Sequence, residues 1–284
     1  MSRSYSWRSM LFVPANNPKL IQSAIKRGAD AIILDLEDSV IPSAKASARE
    51  SLQESVDCVA DAGIDVVIRV NSSLKDMVKD IAAADLSQVT AILVPKCDDS
   101  YRVKAAAELI ESYRNDYELS PVIIALIESP IGILNLNEIA QASPLLKGLL
   151  LGSEDYCAAL ETAPSEAVLT LPATQVAIAA AAHNLHALGL VGSLADYSDL
   201  DLFAARVRAS RAVGLKGAAL IHPSQIAPTN LGFSASSVEV ELAVRIVSEF
   251  EQAKLEGKGA IAVDGKMIDE PVYQRALRLA NAKR

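Results

Sequence analysis

Aromatic residues make up only 4% of this 284-residue chain, and it holds three histidines and three cysteines. With so few rings, a hydrophobic content of 51% means a core of Ala, Leu, Ile and Val, the composition that parallel α/β folds favour. The cysteines (Cys58, Cys97 and Cys157) are scattered, odd in number and without metal-ligand spacing. They read as buried thiols in a reducing compartment rather than as a disulfide framework. No apolar run approaches the roughly 18–20 residues of a membrane span, and the opening MSRSYSWRSM lacks the apolar centre of a secretion signal. The net charge is −8 with no compensating basic stripe, which argues against a nucleic-acid partner. No G-x-G-x-x-G or P-loop is present, so a nucleotide-binding open sheet is disfavoured. The expectation is a soluble cytoplasmic protein with neither a membrane nor a nucleic acid as partner. An anionic substrate remains compatible, because local Arg and Lys can dominate a pocket.

What the chain does have is alternation. Short apolar runs recur at 9–13, 31–36, 66–70, 91–95, 122–127, 148–151, more weakly near 187–191, and at 218–221. Helical patterns fill most gaps, at 18–27, 44–62, 77–84, 101–113, 131–142, 171–188 and 200–213. Such alternation predicts a parallel sheet with right-handed crossovers. Eight strands in a chain of this length favour closure into a TIM (β/α)8 barrel. The barrel would occupy residues 1–227 and a C-terminal extension 228–284. In that extension a charged helix over 237–255 leads to a short strand, the hairpin turn Asp264-Gly265, and a last helix from Pro271.

The stretch 122–161 organises the rest. Its first apolar run ends in Glu128, and its second is followed by Glu154 and Asp155. Two consecutive parallel strands would present carboxylates side by side at the catalytic face of a barrel. With no His or Cys nearby, such a pair suits a hard cation such as Mg2+, which takes oxygen ligands and leaves positions for substrate. Either acid alone also reads as a helix N-cap. Arg69, inside the apolar run VVIRVN, must point into the mouth of the barrel or be buried unpaired. Its planar fork fits a carboxylate or a developing enolate. Lys96 sits at the same rim. Asp35, Glu37 and Asp38 crowd the end of the second strand, with Lys45 and Arg49 on the next helix as natural partners. That group reads equally as a structural cluster. His222, before Pro223, reads as a satisfied turn residue at least as readily as a base. The turn at Pro18 could offer amides to a phosphate, although an ordinary turn is the simpler reading.

RSMLFVPANNP, ILDLEDSV, IRVN, VPK, ALIESPIGI, LLLGSEDY, LIHPSQI and GKGAIAVDGKMIDEP follow one another in order. Together they resemble the citrate lyase β-subunit-like branch of the HpcH/HpaI aldolase superfamily. The resemblance implies a TIM barrel, usually trimeric, that uses Mg2+ to cleave a 3-hydroxyacyl-CoA into acetyl-CoA and a 2-oxo acid. It implies Glu128 and Asp155 as metal ligands and Arg69 as the substrate-binding arginine. Asp269 matches an acid that in some members enters a neighbouring subunit's active site, so a homotrimer or higher homo-oligomer is expected. The phosphates of coenzyme A would need rim cations, for which Lys96 and Lys45 are candidates. Four positions depart from the family pattern: Ala15 replaces a Gly, Pro172-Ala173 an Ala-Arg pair, and Gly192 an Asp. Metal and core chemistry still follow from the resemblance; citrate-type specificity does not. Two alternatives remain, a citrate lyase β subunit acting on an acyl-carrier-protein thioester and a regulatory barrel without activity.

Overall fold

Strands buried on both faces dictate the architecture. The computed structural model describes residues 5–113 and 120–281. Its main strands are β1 (Ser9–Pro14), β2 (Ala31–Asp35), β3 (Asp65–Arg69), β4 (Ala91–Val94), β5 (Val122–Ile127), β6 (Leu146–Leu151), β7 (His186–Leu188) and β8 (Ala218–Leu220). All pair in parallel, in the order β7-β6-β5-β4-β3-β2-β1-β8. The ring closes where Lys216 N donates to Ala187 O at 2.8 Å and Gly189 N to Gly217 O at 2.9 Å. Every residue of β2, β4 and β5 is buried, because one face meets helices and the other fills the barrel. Ile32, Ile68, Ile92 and Ile123 pack outward. Met10, Ile33, Val67, Leu93 and Ile124 pack inward above Trp7. The Trp7 indole donates to Asp65 at 2.7 Å, which satisfies its one polar atom.

The crossovers are α1 (Pro18–Ala24), α2 (Lys45–Glu50) with α3 (Leu52–Asp61), α4 (Leu74–Ile81), α5 (Ser100–Tyr113), α6 (Pro130–Leu134) with α7 (Leu136–Ala140), α8 (Ser153–Ala159) with α9 (Glu166–Ala182), and α10 (Leu200–Ala212). α11 (Ile226–Phe233) follows β8. Two helices expected to be continuous are broken. At Ser51 the hydroxyl bonds back to Ser47 O and Ala48 O. At Asn135 the side-chain amide donates to Asp98 O at 2.8 Å. The first is a local bond that competes with the helical ladder; the second ties the break to the segment after β4. α9 starts at Glu166, several residues before the Pro172 that reads as an opening position; Pro172 lies inside the helix, buried.

Two compact units emerge, Met1–Phe233 and Ser234–Arg284. In the second, α12 (Ser237–Leu255) opens on a capping box between Ser236 and Glu239. The hairpin β9 (Ile261–Val263) and β10 (Lys266–Ile268) leads to α13 (Glu270–Asn281). Phe250 and Tyr273 stack at 4.8 Å over Ala243, Ile246, Val263 and Ile268, a small core of its own. Among the described residues no helix is long and apolar enough to cross a membrane.

Candidate active site

The C-terminal ends of the strands surround one cavity of about 490 Å³. Asp35, Asp38, Arg69, Glu128, Glu154 and Asp155 all line it, whereas Glu37 and Lys96 do not. β5 and β6 are neighbours, with Ile127 paired to Leu151, so Glu128 and the turn carrying Asp155 leave the barrel side by side. Neither acid caps a helix. Ser129 caps α6, accepting from Gly132 N at 3.0 Å. α8 has no side-chain cap, and Asp155 lies in its first turn, where the helix dipole favours an anion. Gly152 allows this close approach, since a Cβ there would sit 2.7 Å from Glu128 Cβ.

Glu128 is buried, 6% exposed, and its Oε1 accepts the Lys96 N–H at 2.7 Å. To present that N–H, Lys96 adopts φ +54°, a left-handed conformation uncommon outside glycine. Burial pushes the Glu128 carboxyl up to about 8. The Lys96 N–H works against the rise, and the charges of Asp155 and Glu37 add to it. The Lys96 ammonium is half exposed, 3.9 Å from Glu37, and is not part of the cavity lining.

Arg69 stands on the end of β3 with its guanidinium 4.7 Å above the Phe12 ring. Its fork is filled by Asp35, through Nε–Oδ1 and Nη2–Oδ2 bonds of 2.7 Å each. Nη1 reaches Asp38 at 3.0 Å and Glu37 at 3.4 Å. Burial opposes the charge on Arg69, but Asp35, Glu37 and Asp38 outweigh it and raise the arginine further. Burial likewise works to raise Asp35, and the bonds and charge of Arg69 reverse it, holding that carboxyl below its ordinary value. The expected partners of this acidic cluster pair elsewhere: Arg49 with Asp76 and Asp80, Lys45 with Asn71. α2 turns both cations toward β3 and α4 instead of the mouth.

Glu37, which the sequence offers only as one of three crowded acids, is 5% exposed, and neither carboxylate oxygen has a hydrogen-bond partner. Burial pushes it up to about 7, with Arg69 opposing. The buried Ser153 hydroxyl, on the cavity wall, is also without a partner. Buried polar groups left in this way are costly unless a ligand or water completes them. Among the described residues no three His, Cys, Asp or Glu side chains form a metal cage. Glu128 and Asp155 would therefore supply two oxygen donors and leave the rest to water and substrate. That donor set fits a hard divalent cation.

Glu154 has a different task. It accepts from Ser193 Oγ at 2.7 Å and Leu194 N at 2.9 Å, tying the segment after β7 to the end of β6. Gln225 Nε2 holds Leu194 O at 2.9 Å from the other side. Gly192, at φ +147°, has the Arg206 side chain packed on it; a Cβ would meet Arg206 Cδ at 2.6 Å. Arg206 donates to Ser193 O at 3.2 Å and pairs with Asp196 at 3.8 Å. Ala173 is fully buried in α9. His222 is a turn residue: it caps the turn at Pro223, bonds Ser224, and stacks on Tyr197 at 4.4 Å. Asn17 caps α1 through Leu20 N. Asp269, in the second unit, accepts from Val272 N at 3.3 Å and so caps α13.

The HpcH/HpaI aldolase/citrate lyase family profile matches residues 8–223. A citrate lyase subunit beta of Leuconostoc mesenteroides subsp. cremoris is 32% identical over 285 residues, covering 97% of this chain and 93% of that one. A (3S)-malyl-CoA thioesterase of Cereibacter sphaeroides is 34% identical over 271 residues, covering 94% and 91%. Among solved structures, protein CitE of Mycobacterium tuberculosis in complex with magnesium, acetoacetate and coenzyme A superposes with a TM-score of 0.75 at 29% identity, covering 97% of this chain and 98% of that one. The barrel, the convergent strand-end acids and these relatives lead to one conclusion: the chain belongs to the HpcH/HpaI aldolase/citrate lyase family, a family of carbon–carbon lyases.

Proposed function

We propose that the protein is a Mg2+-dependent lyase that cleaves a 3-hydroxyacyl-CoA into acetyl-CoA and a 2-oxo acid. The observation that carries the reading is the Glu128–Asp155 pair at adjacent strand ends, in one cavity with Arg69. Glu128 and Asp155 would hold a magnesium ion, the cation present in the M. tuberculosis complex, and it would supply Lewis acidity toward the hydroxyl and carboxylate of the leaving 2-oxo acid. In the reaction the hydroxyl gives up its proton and becomes the carbonyl. The carbon–carbon bond breaks, its electron pair passes into the thioester as an enolate, and a proton closes the methyl group of acetyl-CoA.

The chain's own contributions follow from the geometry. Asp35 occupies the fork of Arg69, so the guanidinium is fixed before substrate arrives and its positive field needs no reorganisation. Its Nη1 reaches Asp38 and Glu37. It is the one cation among the described residues that line the cavity, and so the cation proposed to meet the enolate oxygen. Leu126, Leu150 and Leu151 exclude water around the reacting bond. Asp269 is proposed to return the proton from a neighbouring subunit of a homo-oligomer, a trimer by family resemblance, with the extension completing that neighbour's site. Lys96 is proposed as a rim contact for the acyl-CoA. A cytoplasmic location matches such a substrate.

The test is direct. The purified chain with Mg2+ is incubated with malyl-CoA, citramalyl-CoA and citryl-CoA, and 2-oxo acid and free coenzyme A are measured separately. Release of 2-oxo acid with acetyl-CoA supports the lyase reading and argues against an obligate carrier-protein subunit. Free coenzyme A without 2-oxo acid would make the protein a thioesterase, and no turnover of any ester would refute the reading.

A further inference from the structure

The charge and polarity of the cavity lining bear on which substrate it takes. Its lining carries five carboxylates (Asp35, Asp38, Glu128, Glu154 and Asp155) and one cation, Arg69. That cation is already ringed by Asp35, Asp38 and Glu37. The rest of the lining is largely apolar, with Phe12, Leu126, Leu150, Leu190, Leu194 and Ile221 as its large members. Neither nearby cation compensates. Arg206 is held by Ser193 O and Asp196 outside the lining, and Lys96 leans on Glu37. Leu194 is no loose loop residue. Glu154 grips its N–H and Gln225 its C=O, each at 2.9 Å, so its side chain is a fixed part of the wall.

A 3-carboxy-3-hydroxyacyl thioester carries, on the carbon that becomes the ketone, its carboxylate and one further substituent. Hydrogen there yields glyoxylate, methyl yields pyruvate, ethyl yields 2-oxobutyrate, and carboxymethyl yields oxaloacetate. We propose that this site selects an uncharged alkyl substituent, methyl or larger, and that Leu194 is a specificity-determining residue for it. The inference rests on the lyase reading above. The substrate's own carboxylate is neutralised by the divalent cation. A second carboxylate would enter a low-dielectric cavity with an excess of acids and, among the described residues lining it, no free cation, which is strongly disfavoured. Hydrogen in place of alkyl would leave the apolar wall unfilled, a loss of about tenfold for one methyl group. Rejection of a charge lacking a partner is steeper, on the order of a hundredfold or more. The volume, about 490 Å³, leaves room for an alkyl chain beyond methyl beside the thioester arm.

Two measurements test this on the full-length protein with Mg2+. The first compares kcat/KM for the hydrogen, methyl, ethyl and carboxymethyl thioesters, in the wild type and in Leu194→Arg. The expected order places methyl and ethyl at least a hundredfold above carboxymethyl, with Leu194→Arg narrowing that ratio at least tenfold. A carboxymethyl ester cleaved as well as the alkyl esters by the wild type overturns the proposal, whether or not the arginine variant folds. The second measures binding of pyruvate, 2-oxobutyrate and oxaloacetate by calorimetry, with no thioester present. If no thioester is cleaved but 2-oxobutyrate binds more tightly than oxaloacetate, the lyase reading fails and the selectivity of the site stands. Equal or tighter oxaloacetate binding, or no binding of any 2-oxo acid, overturns it.

Discussion

Removing the charge of Glu128 should stabilise the metal-free protein while abolishing its response to magnesium. The carboxyl is 6% exposed and is pushed from 4.5 up to about 8, mainly by burial. Between those two values the folded state holds a proton that the unfolded chain has released. The unfolded state then binds fewer protons, so stability falls as pH rises, by about 1.4 kcal/mol per pH unit across that window. At pH 7 the metal-free wild type carries a penalty of about 3 kcal/mol from this position alone. Glu128→Gln removes it and keeps the bond from Lys96 N–H, since the amide oxygen accepts equally well. Burying the amide takes back part of the gain, leaving about 2 kcal/mol, or roughly 4–8 °C in melting temperature for a domain of this size. The assay is thermal unfolding in a chelator at pH 5, 7 and 8.5, repeated with excess Mg2+. In chelator the variant should melt above the wild type at pH 7 and 8.5, by a margin that widens with pH and has vanished at pH 5. Magnesium should raise the wild type and leave the variant almost unmoved. Identical melting of the two proteins at every pH, or an equal rise with Mg2+, would refute the reasoning.

Arg69→Lys should lower kcat/KM by at least tenfold, because an ammonium cannot satisfy both oxygens of Asp35 and still hold a fixed orientation; near-normal steady-state kinetics would show that charge alone suffices. Gly152→Ala should weaken Mg2+ binding at least tenfold in a calorimetric titration, since its Cβ would start 2.7 Å from Glu128 Cβ; unchanged affinity would mean that Glu128 is not a ligand or that β6 yields easily. Asp269→Ala and Arg69→Ala should each be nearly inactive alone, yet regain part of the activity when refolded together as mixed oligomers. Mixed oligomers that recover nothing would show that Asp269 does not act across subunits.

The barrel was legible because its strands are short uninterrupted apolar runs, a pattern that burial on both faces imposes. The carboxylate pair was legible for a related reason: a charge that ends such a run has nowhere to go but the mouth. Arg69 stood out as a charge within a run. What failed to show was pairing in space. Lys45 and Arg49 are near Asp35 in sequence, but α2 carries them to Asn71, Asp76 and Asp80. The partner of Asp35 comes from the next strand, where register sets Asp35 beside Arg69. Glu37 was read as one of three crowded acids, because its burial depends on cations from two other strand ends. Leu194 lies in a stretch with no period to read, and its fixed position comes from Glu154 and Gln225, residues some 30 to 40 positions away in sequence. The role of Asp269 as a helix cap was open to reading, since an Asp before Glu-Pro is a familiar start signal.

The adjacent acids of the Gly-Ser-Glu-Asp turn divide two jobs that many sites merge. Asp155 lines the cavity beside Glu128, while Glu154, one residue earlier, anchors the segment that carries Leu194. On the proposed reading, recognition and bond-breaking hang on neighbouring side chains of one helical turn but on separate sets of bonds. The segment after β7 can exchange residues, and with them the substrate it admits, without disturbing a single atom that would hold the cation. A protein arranged in this way can change what it cleaves by small steps and keep the means of cleaving it.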